Sequence, residues 1–429
     1  MNQEKLQDSK NGQGAGNAEK SIVLQELEIL EKFLQESPEH EIQEAAGYIC
    51  ERLKINIEKI QNTDGEHLAS RFNAILKRVS GYIEALRFSE PESLREERIR
   101  NAIDKAIEWF AAGKMDIPNN EFGLELDNTL SDLLKTDRGL IKERNLGSKK
   151  GICRVCGVSG EYLSWRIKEM MIPTRDEFEY FCCHNCNCLQ IRDVPENTDK
   201  YYRHDYYSYK EPRLTYMAEG TFPKPHMVLD VGCGVGKWLC ELPAQGYTNL
   251  YGCDPYIEKD LRYDNGVFIK KSTIHDIVGH FDYIRLCHSF EHMADPHNVI
   301  KSIKRLLKPT GSCHISIPVF PNIAFAIYGP FWYQADAPRH FFLHSRESII
   351  YLTRLSGLSV SGIMYNSNKG QFSHSRLYQL DIPFWKQLPE VTKAEFTWQD
   401  IENMNLMAKI ANEKNMGDMA VFELRHSEI

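Results

Sequence analysis

The chain has 429 residues, enough for two or three domains with substantial cores. Its 52 Lys and Arg against 60 Asp and Glu leave a net charge of −8, which argues against the broad basic field of a nucleic-acid binder. Twelve cysteines, with no apolar segment in the first 20 residues, point to a reducing, cytoplasmic setting where clustered thiols hold metal and do not form disulfides.

In chain order, residues 1–20 are polar and rich in Gln, Asn, Gly and Lys, and are expected to form a disordered tail. Helical periodicity then runs through 21–145. Leu24, Leu27, Leu30 and Leu34 share one face, and Ile42, Ala46, Ile49, Leu53, Ile57 and Ile60 another. Two more helices follow, with Leu68, Phe72, Ile75, Val79 and Ile83, then Leu94, Ile99, Ile103, Ala106 and Phe110, and a further one lies near 124–136. An antiparallel helical bundle without catalytic residues is expected, whose use is packing with a second copy or a protein partner.

Residues 150–192 carry Cys153-x-x-Cys156 and Cys183-x-x-Cys186. Two such knuckles place four thiolates around one zinc, and a closed four-cysteine site is structural. Cys182, His184 and Cys188 crowd the second knuckle, but Cys183 preserves the two-residue spacing, and Asn187 tolerates the left-handed turn that follows. Next comes a tyrosine-rich stretch, Tyr201-Tyr202-Arg203-His204-Asp205-Tyr206-Tyr207-Ser208-Tyr209, suited either to stacking on a ligand or to packing as a linker.

The most informative stretch is Val228-Leu229-Asp230-Val231-Gly232-Cys233-Gly234-Val235-Gly236. An apolar strand ends in an acid and turns through three alternate glycines into a helix, a small-molecule cradle at the carboxyl end of a parallel strand. Lys237 excludes the dinucleotide fingerprint, and Val231 with Trp238 excludes a phosphate-binding loop. A second acid, Asp254, ends the next strand and is followed by Pro255. Further on, the strand Phe281–Leu286 leads into Cys287-His288-Ser289-Phe290-Glu291-His292-Met293-Ala294-Asp295-Pro296. A helix through Val299, Ile303 and Leu306 ends at Lys308-Pro309-Thr310-Gly311, before the strand His314–Pro318. Prolines 318, 321 and 330 interrupt the most apolar run, so no membrane span is expected. Then come Asp336-Ala337-Pro338-Arg339-His340 through His344-Ser345, a helix Ile349–Leu355 and a strand Leu358–Tyr365. Residues 367–415 read as an insertion capping the substrate, and Asp418–Arg425 as the last strand.

The D-x-G-x-G-x-G turn resembles motif I of class I S-adenosylmethionine-dependent methyltransferases, and "FEHMADP" with "RLLKPTG" resembles their later motifs, Thr310 standing where the family has glycine. The resemblance covers roughly 150–426. It implies an α/β Rossmann-like sheet over 200–366 and 416–426 with its last strand antiparallel, preceded by a zinc ribbon and the helical bundle. It further implies S-adenosylmethionine held by Asp230, Gly232, Cys233, Gly234, Gly236, Asp254, Pro255 and His288, with Asp254 on the ribose. The ribbon followed by a tyrosine run resembles methyltransferases of sugar and surface-polysaccharide biosynthesis, which implies a small-molecule or glycan acceptor and O-methylation. By family position His340 is the general base and Arg339 holds an anionic group, with Glu291, His292 and His344 as further candidates. No tight acidic cluster argues for a catalytic divalent metal. The alternatives are a zinc-ribbon methyltransferase acting on RNA or protein, a sugar C-methyltransferase, and a non-catalytic scaffold.

Overall fold

The structure, a computed structural model, describes residues 92–111, 138–202 and 227–427. The expected tail, the first helices of the bundle, the helix near 124–136 and tyrosines 206–209 lie outside the described residues. What is described divides between two compact units, 99–388 with 404–427 in one and 92–98 with 389–403 in the other. The stretch 367–415, expected as a single insertion, is therefore shared between them. It contains the helices Gly370–Gln379, Pro389–Glu395 and Trp398–Glu413. Of the bundle, helix Glu92–Ala111 buries Ile99, Ala102, Ile103 and Ala106, three or four residues apart as one helical face requires.

In the larger unit the first sheet is antiparallel: β1 (Asn145–Ile152), β2 (Ser159–Lys168), β3 (Glu177–Cys182) and β4 (Leu189–Ile191), in that order. It starts ahead of the expected boundary at 150. The two knuckles are the tips of its hairpins and have matching backbones. Gly157 N–H donates to Cys153 O at 2.9 Å and Asn187 N–H to Cys183 O at 2.8 Å, while Cys153 N–H and Cys183 N–H reach Val158 O and Cys188 O. Both turns end in a positive φ, 74° at Gly157 and 53° at Asn187.

The second sheet comprises β5 (Met227–Val231), β6 (Asn249–Cys253), β7 (Leu261–Arg262), β8 (Phe268–Lys270), β9 (Phe281–Cys287), β10 (Leu307–Pro318), β12 (Leu358–Tyr365) and β13 (Met419–His426). Their order is β12-β13-β10-β9-β5-β6-β8-β7. The central pairs β10–β9, β9–β5, β5–β6 and β6–β8 are parallel, and β13 runs antiparallel between β10 and β12. The chain steps outward in both directions from β5 and β9, so a crevice opens at their carboxyl ends. Below it Val228, Leu239, Leu242, Leu250, Ile269 and Tyr283 form a core.

Two departures from the sequence reading have local causes. β10 begins at Leu307, not at His314, because Lys308–Gly311 bulges within the strand: Leu307 pairs with Phe281 and Ser312 with Tyr283. A Cβ at Gly311 would lie 2.9 Å from Asp282 O, so the bulge admits only glycine without a shift. The second departure is β11 (Phe342–Leu343), not expected as a strand, which pairs antiparallel with β4 and completes the ribbon sheet. Just beyond it Ser345 caps helix Arg346–Leu355, and its hydroxyl donates to Cys186 O of the second knuckle.

Candidate active site

Strand β5 delivers Asp230 and the glycine turn to the crevice. Gly232, Gly234 and Gly236 have φ of 71°, 55° and 76°, a left-handed backbone that side chains resist. Space reinforces the requirement. A Cβ at Gly232 would sit 2.5 Å from Ser289 Cβ, and one at Gly236 2.2 Å from Ile269 Cδ1. Ser289 is held there because its hydroxyl donates to Val231 O at 2.8 Å. Cys233 is turned away from the cleft, so that a Cβ at Gly252 would meet its Sγ.

A cleft of about 420 Å³ opens at this point, in the size range of small-molecule sites. Its lining includes Gly232, Asp254, Pro255, Tyr256, Thr273 and Ile274, together with His288, Ser289, His292, Tyr202 and Phe341. Asp254 is nearly buried and accepts from Gly234 N–H at 2.9 Å and Tyr256 N–H at 2.8 Å, one bond to each oxygen. A carboxylate has about four acceptor sites, so two remain for the hydroxyls of a ribose. Burial raises the pKa of Asp254 against those two donors. Asp230, by contrast, is absent from the cleft lining; both its oxygens accept from Arg285 Nη1, at 3.2 and 3.1 Å. Arg285 in turn lies over the Trp238 ring at 4.4 Å. Asp230 thus anchors the strand floor beneath the turn.

The cleft lining also includes Ser272–His275, which the sequence did not single out. The available signal was position: these residues follow β8, a parallel strand, at its carboxyl end.

The second group of candidates is brought together from two segments, the turn after β9 and the stretch before β11. Glu291 is fully buried, and neither of its carboxylate oxygens has a hydrogen-bond partner. Around it stand His288 Nδ1 at 3.6 Å and His340 Nε2 at 3.9 Å, while the His292 and His340 rings meet edge to face at 4.8 Å. Burial pushes the Glu291 pKa up, but the adjacent His288 ring and the fields of His292 and His340 prevail and hold it at about 2. Burial drives His340 down to about 4, so its imidazole is neutral near pH 7. His288 and His292 are on the cleft wall; His340 stands behind them. His288 carries a positive φ of 50°.

Arg339 is engaged by the protein itself and is not among the cleft-lining residues. Its guanidinium is buried between Asp336, which takes Nε at 2.9 Å and also contacts Nη2, and Glu169, which takes Nη2 at 2.9 Å; Nη1 donates to Tyr201 O. Glu169 follows β2, so this ion cluster ties the ribbon to the 336–340 segment. His344 is stacked between Phe290 and Phe342, and burial lowers it to about 3. It packs the core.

Away from the cleft, Cys153, Cys156, Cys183 and Cys186 bring their four sulfurs within 4.8 Å of one another. Cys153 Sγ lies 3.6 Å from Cys186 Sγ, and Cys156 Sγ the same distance from Cys183 Sγ. Cys182 and Cys188 are buried outside this set, and burial raises both thiols well above their ordinary value. Gln190 Nε2 donates to Cys153 Sγ at 3.1 Å, a typical support for a ligand sulfur. Four thiols, three of them on buried cysteines and Cys156 half-buried, orientated by backbone and amide, fit the four-ligand set of a structural zinc.

Residues 202–361 match the family described as methyltransferase domain. This chain carries a class I methyltransferase domain. The ubiquinone biosynthesis O-methyltransferase of Actinobacillus pleuropneumoniae serotype 7 is 37% identical to the chain over 117 residues, 23% of this chain and 49% of that protein. The protein of that name from Pseudomonas aeruginosa strain UCBPP-PA14 is 31% identical over 100 residues, 21% of this chain and 43% of the relative. The chain thus spans about half the length of the curated relatives it matches. Among solved structures, the Burkholderia thailandensis 1,6-didemethyltoxoflavin-N1-methyltransferase covers 48% of this chain and 72% of its own, at 13% identity and a TM-score of 0.29, too slight a likeness to bear on function. No helix among the described residues is long and apolar enough to cross a membrane.

Proposed function

We propose that this protein transfers a methyl group from S-adenosylmethionine to a hydroxyl oxygen of a small acceptor. The observation that carries the reading is one cleft lined both by Gly232 and the half-satisfied Asp254 and by the His288 and His292 imidazoles. S-adenosylmethionine brings an activated methyl on a sulfonium, so the protein's share is alignment, water exclusion and removal of the acceptor's proton. Gly232 lets the chain approach the cofactor, Asp254 holds the ribose, and Thr273 with Ile274 bounds the adenine. His288 takes the hydroxyl proton, and buried Glu291 beside it stabilises the imidazolium that forms. As the O–CH₃ bond forms, the S–CH₃ bond breaks and its electron pair remains on sulfur.

For the acceptor we favour a sugar hydroxyl, in a glycan or sugar intermediate of surface-polysaccharide biosynthesis. What supports it is the resemblance of the ribbon and tyrosine run to sugar-associated methyltransferases. A phenolic hydroxyl is the second reading, favoured by the names of the curated relatives. The reaction belongs to a reducing compartment, where the free thiols of the ribbon keep their metal. Calorimetry with S-adenosylmethionine tests the donor, and S-adenosylhomocysteine release against sugar and phenol panels tests the acceptor. No heat of binding would end the reading; turnover on phenols alone would replace the sugar.

A further inference from the structure

Glu291 is the least explained group in the described residues. A carboxylate with no exposed surface and no hydrogen bond is costly, because nothing replaces the water it lost. Of the three rings that face it, His288 Nδ1 stands 3.6 Å from Oε1, beyond hydrogen-bond reach, and the other two are not arranged to repair the loss. His340 Nδ1 lies 2.7 Å from Gln334 O, and His292 Nδ1 lies 2.8 Å from Arg339 O. A carbonyl only accepts, so both Nδ1 atoms carry the hydrogen and both lone pairs sit on Nε2. His340 Nε2 then points a lone pair toward Glu291 Oε1 at 3.9 Å and Asp336 Oδ2 at 3.7 Å. Lone pair against carboxylate is repulsive unless a cation stands between them. Main-chain carbonyls fixing Nδ1–H are also the usual second shell of metal-binding histidines.

One oxygen of Glu291 and one nitrogen each of His292 and His340 lie within 4.8 Å of one another. We propose that Glu291, His292 and His340 form a binding site for a divalent transition-metal ion, such as Mn²⁺, with open coordination positions toward the cleft. Two imidazoles and one carboxylate are a borderline-to-hard donor set, unlike the thiolates of the ribbon, and three protein ligands leave room for an exogenous oxygen. His292 and Phe341, the neighbour of His340, are on the cleft wall, so that oxygen is the acceptor's hydroxyl. The ion lowers the hydroxyl's pKa, and the proton leaves to His288 as before. This assignment of the ion's role rests on the methyl-transfer reading; the site itself does not.

The test is Mn²⁺ titration of the zinc-loaded protein, followed by the electron paramagnetic resonance of free Mn²⁺, with calorimetry of S-adenosylmethionine in parallel. One saturable Mn²⁺ per chain is expected, weakened on the order of 100-fold in Glu291→Gln and in His292→Gln, with spin-echo modulation from imidazole nitrogen in the unmutated protein. Retention of the ribbon zinc shows that a variant is folded. Equal Mn²⁺ affinity in Glu291→Gln, or no imidazole modulation, overturns the site without reliance on either variant's folding. Mn²⁺ binding without S-adenosylmethionine binding supports the cation site and removes the methyl-transfer reading. The converse overturns the cation site alone.

Discussion

The ribbon's four thiols and the cleft's carboxylate with its imidazoles are clusters of similar size built on opposite plans. In the ribbon, ligands come in two local pairs, each on a hairpin tip whose backbone repeats the other's, and the cluster is closed. In the cleft, Glu291 and His292 come from the turn after β9 and His340 from a segment some fifty residues on, and one side faces the crevice. The first plan suits a group that must never exchange ligands. The second suits one that must admit a partner. The ribbon should therefore govern stability and the histidine cluster reactivity, and variants that cross that line would undo the contrast.

The largest effect is expected at the ribbon. Cys186→Ser should cost the chain its zinc and lower Tm by roughly 10 °C or more, read by metal analysis and calorimetric melting. Unchanged zinc content would remove Cys186 from the ligand set. Arg339, the link between the regions, comes next. Arg339→Ala leaves Glu169 and Asp336 buried without their cation and should destabilise by about 3–5 kcal/mol in urea denaturation. A smaller loss would mean that Arg339 is freer than its buried contacts imply.

With no cation on Glu291 and His340, acid should act on the histidines. His340 and His344 titrate in the folded chain near 4 and 3, against about 6.5 when unfolded. Between those values the unfolded state binds more protons, so their contribution is full above pH 6.5 and is lost as pH falls toward 4 and then 3. Glu291, held at about 2, adds a loss in the same direction at lower pH. Stability should fall by up to roughly 2–3 kcal/mol per pH unit in this window, and a flat profile would contradict the burial of both rings. At the donor end, Asp254→Asn should weaken S-adenosylmethionine binding by about 30- to 100-fold with little change in Tm, since charged hydrogen bonds to the ribose are lost while the fold keeps its other contacts. Gly232→Ala is the gentlest. Its Cβ meets Ser289 at a positive φ, for about 1–3 kcal/mol, and Ser289→Ala should not rescue it because the clash is with Ser289 Cβ.

What could be read from sequence divides along the same line. The choice of Cys183 over Cys182 followed from spacing, since a two-residue gap is what a hairpin tip can close, and the alternate glycines followed from the turn they must make. Both are local facts about backbone. Glu291, His292 and His340 were singled out one at a time, but their meeting depends on the packing of separate segments. The same applies to Arg339, whose charge suggested an anionic ligand until Glu169 and Asp336 were found on it. Burial and tautomer are tertiary properties, so neither the bare carboxylate nor the lone pairs on Nε2 left a trace in residue order. Phe342-Leu343 gave no sign of a strand because nothing in two apolar residues says which sheet edge they will join.

That small strand has a consequence for how such proteins can be recombined. β11 pairs with β4, Ser345 reaches Cys186, and Arg339 reaches Glu169. The segment 336–345 is therefore inherited as a mate of the ribbon. Exchanging acceptor-side segments between relatives should succeed only when the ribbon travels with them, and a chimera that swaps one without the other should leave an unpaired sheet edge and Glu169 orphaned at the seam.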